Sequence, residues 1–115
     1  MNIKYFDNAA TTQLDKEVLD KMMPYLTDKF YNPSSIYTPS QEIKRVIEDS
    51  RKMTLDALCS KDGQVYFTSG SSESDNIAIK GFAHANKNKG NHIITTTIEH
   101  PAIINSCKTL EKEGF

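Results

Sequence analysis

The fold of this chain is indicated most clearly by residues 65–82, which read VYFTSGSSESDNIAIKGF. The run Val65–Thr68 consists of β-branched and aromatic residues and predicts a short strand. Small residues then form a turn, and the apolar positions that follow predict a helix from Glu73 to about Asn86. A strand that leads through a tight turn into a helix is typical of an α/β fold.

The same order of elements repeats towards the carboxyl end. Residues 92–96 read HIITT and predict a second strand. Pro101 is suited to the first position of a helix and Gly114 to ending one, so a last helix is expected between them. Two strands cannot form a doubly covered parallel sheet, and the chain stops where a third strand should begin. We therefore expect an α/β domain with an incomplete sheet.

The amino-terminal half predicts two helices joined by polar loops. A short extended segment is expected at Ile3–Phe6. Asp15 is a candidate N-cap for a first helix, which Pro24 should kink or end early. Ser40 is a candidate N-cap for a second helix, whose apolar stripe reaches Leu58.

Composition and charge argue against several classes of protein. The chain has 115 residues, of which 25% are charged, and its net charge of -1 gives no indication of nucleic-acid or anionic-membrane binding. No secretory signal and no bilayer-spanning apolar run is visible, so we expect a cytoplasmic protein. Cys59 and Cys107 have no partner at metal-ligand spacing, and reduced thiols with packing roles are expected.

The turn before the helix at Glu73 is a candidate anion site. Its small residues allow close approach of a ligand, and the free N–H groups and dipole of a helix start favour an anion. The hydroxyls of Ser69, Ser71 and Ser72 add donors. The alternative is an ordinary serine-capped helix, in which Ser72 and Asp75 form a pair resembling a capping box.

Three other places carry candidate site residues. His100 lies between a predicted strand and a helix, where it could stack on a planar ring or relay a proton, or simply be satisfied at a helix start. The loops around Asn8 and Asn32 could bind a carboxylate, although such residues are common in loops. His84 and His92 are expected to be surface or structural residues.

Four segments occur in an order and at a spacing shared with one enzyme family. They are Tyr5–Thr12, Asn32–Ser35, Phe67–Gly81 and His92–His100. Over essentially the whole chain they resemble the cysteine desulfurases of the class V aminotransferase group, within the fold-type I pyridoxal-phosphate enzymes. The resemblance implies that residues 15–115 form the amino-terminal part of the cofactor-binding large domain, and that residues 1–14 border the small domain and active site. It also implies that the two predicted strands are not neighbours in the sheet.

The resemblance further implies roles for five residues. In such enzymes the turn matching Ser71 and Ser72 holds the phosphate of pyridoxal 5'-phosphate. The histidine matching His100 stacks on the cofactor ring and helps to move protons, which makes it the catalytic candidate of this chain. Segments matching Asn8 and Asn32 lie near the substrate.

The chain departs from the family's pattern at two places. Relatives usually carry Ala-Thr where this chain has Ser71-Ser72, and a hydroxyl is kept at Ser72. They also commonly carry a histidine near Tyr37 and Phe-Gly in place of Pro39-Ser40, a difference that affects the expected substrate contacts.

The activity that the resemblance implies needs more than this chain. An intact enzyme would remove sulfur from L-cysteine, giving L-alanine and an enzyme-bound persulfide for a sulfur-acceptor protein, in iron–sulfur cluster or thio-cofactor supply. It would be a homodimer. The family's cofactor-binding lysine, pyridine-pairing aspartate and sulfur-accepting cysteine have no counterpart here, since Lys80, Cys59 and Cys107 match non-catalytic positions. We expect an inactive fragment; a selenocysteine lyase, another class V enzyme or a non-catalytic interaction module are the alternatives.

Overall fold

The computed structural model describes residues 3–115 as four α-helices joined by irregular segments. The helices are α1 (Lys16–Thr27), α2 (Thr38–Ala57), α3 (Ser71–Ala85) and α4 (Pro101–Lys112). The chain divides into two compact units, the first ending at Val65 and the second formed by Tyr66–Phe115. Met1 and Asn2, which fall within the predicted segment 1–14, lie outside the described residues. No helix of the described part is both long and apolar enough to cross a bilayer.

The predicted strands at residues 65–68 and 92–96 are not formed, because neither run belongs to a ladder within residues 3–115. The described part thus consists of helices and irregular segments, and the expected incomplete sheet is not seen in it. A strand exists only through ladder hydrogen bonds to a neighbouring strand, and a β-branched run supplies propensity alone. The carbonyl of Val65 accepts a hydrogen bond from Nε of Arg51 at 3.1 Å.

Helix α1 begins where the sequence predicts and ends later than predicted. The Asp15 carboxylate accepts a hydrogen bond from the N–H of Glu17 at 2.7 Å, as expected of an N-cap. The helix then continues past Pro24 to Thr27, so the early end predicted at the proline is wrong. Pro24 has no N–H to donate to the carbonyl of Asp20, so the helix lacks that one hydrogen bond and still continues.

Helix α2 begins two residues before the predicted cap. Its N-cap is Tyr37, and Pro39 occupies the first turn. The N–H that a proline lacks would have no acceptor within the helix at that position. Ser40 is therefore an internal residue of the first turn and not the N-cap. At the other end Cys59 adopts a left-handed conformation with φ of 53°, a position usually taken by glycine. Its thiol is free and exposed, so the predicted packing role does not apply to it.

Helices α3 and α4 pack side by side and run in the same direction. Residues from both amino-terminal ends line one cleft, and at the carboxyl ends Nε2 of His84 lies 2.6 Å from Oε2 of Glu113. His84 thus has the structural role that the sequence predicts. Among the described residues the buried apolar side chains are Ala83 on α3 and the fully buried Leu110 on α4. Gly114, with φ of 90°, ends α4 as predicted.

Candidate functional site

A cleft of about 360 Å³ opens between the amino-terminal parts of α3 and α4. It brings together Ser72 and His100, two of the predicted site residues, which are far apart in the sequence. The cleft is lined by Ser72, Asn76, Lys80, His100, Pro101, Ala102, Asn105, Ser106 and Thr109. None of these residues carries a carboxylate, and one carries an ammonium group, so the lining is suited to an anionic or neutral polar ligand.

The amino terminus of α3 presents unused backbone donors at this cleft. Its N-cap is Gly70, which has no side chain to accept a hydrogen bond. The first bond of the helix runs from the N–H of Ser74 to the carbonyl of Gly70 at 3.2 Å. The N–H groups of Ser71, Ser72 and Glu73 find no acceptor among residues 3–115. Three such donors together with the helix dipole fit a phosphate.

The turn that precedes α3 is held by a carboxylate. Oε2 of Glu73 accepts hydrogen bonds from both the backbone N–H and the hydroxyl of Ser69, each at 2.7 Å. These two bonds lower the pKa of Glu73, the backbone bond contributing most. The predicted alternative, a capping pair of Ser72 and Asp75, is not formed, because Glu73 and Ser69 make the contact that closes the turn.

His100 stands at the amino terminus of α4, as predicted, and its ring has one nitrogen engaged. Nδ1 accepts a hydrogen bond from the N–H of Ala102 at 3.2 Å, so the side chain caps the helix. An Nδ1 that accepts carries no proton, and the neutral ring then bears its proton on Nε2. Capping and ligand contact are therefore compatible: one nitrogen fixes the ring and the other, with the ring face, is left for a ligand.

The asparagine loops lie in the first compact unit. Asn8 is exposed, in a turn that follows Asp7. Oδ1 of Asn32 accepts a hydrogen bond from the N–H of Ser34 at 2.9 Å, which leaves its amide N–H groups as the remaining donors. Tyr37, in the segment that departs from the family's pattern as the sequence analysis gives it, has its ring edge-on to Tyr31 with centroids 6.3 Å apart.

Sequence reasoning did not find four of the residues that line the cleft. Asn76 and Lys80 follow Ser72 at intervals of four along α3, which places all three on one face of the helix. Asn105 and Thr109 repeat that spacing on α4. The interval of four was visible in the sequence, but which faces meet is decided by packing. No group of three or more metal-ligating side chains occurs within the described part.

Comparison with known proteins assigns the chain to a family. Residues 4–115 match the family model of aminotransferase class-V proteins. Curated relatives include proteins named cysteine desulfurase IscS from Methanosarcina thermophila, 52% identical, and Clostridium botulinum, 51% identical. Each match covers 96% of this chain and 28% of the relative, so the chain spans about a quarter of the length of these proteins.

Two solved structures are similar to this chain. One, described as SspA in complex with cysteine, superposes with a TM-score of 0.88 at 40% identity, over 98% of this chain and 33% of that one. The other, described as a NifS-like protein, gives a TM-score of 0.89 at 35% identity, over 96% of this chain and 30% of the other. With the family match over residues 4–115, this chain belongs to the class-V aminotransferase family.

Proposed function

We propose that this chain is the amino-terminal part of a pyridoxal-phosphate-dependent cysteine desulfurase. The whole protein would convert L-cysteine and an enzyme thiol into L-alanine and an enzyme persulfide, breaking a C–S bond and forming an S–S bond. The persulfide sulfur would pass to an acceptor protein for iron–sulfur cluster or thio-cofactor supply. The observation that carries the proposal is the cleft in which Ser72 and His100 meet, in a chain 52% identical to a cysteine desulfurase.

In this proposal the phosphate end of pyridoxal 5'-phosphate is bound at the start of α3. The N–H groups of Ser71, Ser72 and Glu73 would donate to phosphate oxygens, and the hydroxyls of the two serines are further donors. When bound, the cofactor supplies an electron sink for the carbon skeleton of the substrate. Everything else proposed here is binding, orientation and proton movement by the chain's own side chains.

His100 would hold the ring of the cofactor and handle a proton near it. Its Nδ1 is tied to the backbone of α4, which fixes the plane of the imidazole. Nε2 is then the atom that can give or take a proton, and the ring face is the surface that can stack. Asn8 and Asn32 are proposed substrate contacts through their side-chain amides, as donors to the carboxylate of the amino acid.

The proposal extends to the architecture of the whole protein. Residues 15–115 would belong to the cofactor-binding large domain and residues 1–14 would border the active site. The runs at 65–68 and 92–96 would become strands by pairing with other strands of that domain. The whole protein would act as a cytoplasmic homodimer.

The test compares the full-length gene product with the 115-residue chain. With pyridoxal 5'-phosphate and L-cysteine, the full-length protein should form alanine and a protein persulfide, and the chain alone should form neither. A full-length protein that prefers L-selenocysteine would favour a selenocysteine lyase, and one without turnover would favour an interaction module. Sulfide release by the pure chain that is lost in Lys80→Ala would overturn the assignment of Lys80 as non-catalytic.

A further inference from the structure

The start of α3 is organised by a side chain for which the proposed function has no direct use. Glu73 lies in the first turn of the helix, with Gly70 as N-cap. Its carboxylate points backwards and accepts two hydrogen bonds from Ser69, to the N–H and to the hydroxyl, each at 2.7 Å. Both contacts are charge-assisted, which makes them the strongest kind of hydrogen bond available in such a turn.

This arrangement settles where the negative charge of Glu73 lies. A carboxylate in the first turn of a helix is attracted to the free N–H groups of that turn, and it would there compete with an external anion. The two bonds from Ser69 instead hold the carboxylate against the turn, four residues before Glu73. The N–H groups of Ser71, Ser72 and Glu73 consequently stay without an acceptor in residues 3–115.

A second contact shapes the same turn. Oγ1 of Thr68 donates to the carbonyl of Gly70 at 3.1 Å, which braces the residue that begins the helix. The backbone from Thr68 to Gly70 is thus tied at its first residue and, through Ser69, at its middle. A phosphate cradle made of backbone amides needs such bracing, because its donors must point at the ligand before the ligand arrives.

We propose that Glu73 is the positioning residue of the phosphate turn. By binding Ser69 it fixes the turn and withholds its own charge, so that the amides of Ser71 and Ser72 remain open for the phosphate of the cofactor. The inference rests on the proposed function, since it names how the phosphate site of that function is kept ready. It differs from a role in helix stability alone, which would affect every ligand of the protein equally.

The test uses ligands with and without the phosphate. The full-length apoprotein is titrated with pyridoxal 5'-phosphate and with pyridoxal. The dissociation constant of pyridoxal is divided by that of pyridoxal 5'-phosphate, and this ratio is compared among variants. Glu73→Ala removes both bonds to Ser69 and should weaken binding of the phosphorylated ligand at least about tenfold, the scale of one charge-assisted bond, while leaving pyridoxal nearly unchanged. Glu73→Gln, which keeps an acceptor for Ser69, should restore most of the ratio.

Two further variants separate positioning from folding. Ser69→Ala removes one of the two bonds and should lower the ratio by a smaller factor; if Glu73→Ala does not fold, this variant decides. Asp75→Asn removes an acidic charge from the same helix without touching the turn and should leave the ratio unchanged. Equal weakening of both ligands, or an unchanged ratio in Glu73→Ala, would overturn the inference alone. A wild-type protein that binds neither ligand would overturn the proposed function as well.

Discussion

The chain on its own exposes far more surface than a folded protein of its size. Its accessible surface is 10046 Å². A compact domain of this mass exposes about 6,300 Å², and two separately compact units of these lengths about 7,600 Å². The excess of about 2,400 Å² over two compact units equals roughly three times the area that one partner buries in a standard interface. We therefore expect the 115-residue chain, expressed alone, to self-associate.

Large apolar side chains lie on the exposed surface, and substituting one of them tests whether they cause self-association. Phe82 is 73% exposed on α3, and Ile94 is 88% exposed in the segment that follows. Light scattering after size-exclusion chromatography should show a mass that rises with concentration, with binding of a hydrophobic dye. Phe82→Lys should lower the mean mass, and Asn88→Lys, which adds the same charge at an exposed polar residue of the same unit, should not. A monomer that unfolds in one sharp thermal transition would refute the reasoning.

Three other predictions follow from single residues. In the full-length protein His100→Asn should keep the helix cap and the melting temperature but perturb the absorption band of the cofactor. His100→Ala should perturb the band and also lose about 1 kcal/mol of stability, because it removes the cap. An unchanged band in both variants would favour a capping role alone. Glu73 should titrate below 4.5 in NMR spectra, because its folded pKa is lowered by its hydrogen bonds, and its contribution to stability should be present above that pH and lost as the pH falls through the folded pKa; a midpoint at or above 4.5 would contradict this. Gly63→Ala should destabilise the protein by only about 0.5 kcal/mol in chemical denaturation, since the added Cβ would lie 2.7 Å from Oγ of Ser60 and that side chain must move aside, while Gly90→Ala, with no atom within 4 Å, serves as the control.

Some helix ends could be predicted from single residues. Pro101 at the start and Gly114 at the end of α4 act through local backbone geometry, which depends on the residue itself and little on its surroundings. The N-cap at Asp15 is of the same kind. Pro24 and Ser40 were misjudged because of prolines: the hydrogen bond missing at Pro24 did not end α1, and Pro39 in the first turn let α2 begin before Ser40.

The strands were not decided by the sequence. Residues 65–68 and 92–96 have the composition of strands, but a strand needs hydrogen bonds from another segment, and the described residues form no ladder there. The contact that closes the turn before α3 was not found from the sequence either, since the alternative considered there paired Ser72 with Asp75. Geometry selected the Glu73–Ser69 pair, because its carboxylate meets two donors of one residue.

By itself the sequence determined the family to which the chain belongs and named the candidate site residues, which are the serines at a helix start and the histidine before a proline. Only the tertiary structure decided that Ser72 and His100 share a cleft. That arrangement depends on α3 and α4 lying side by side in the same direction, with Ala83 and Leu110 buried and His84 bound to Glu113 at the far ends. Spacing along one helix fixes which residues share a face, whereas the face that a second helix covers is set by packing between segments distant in the chain.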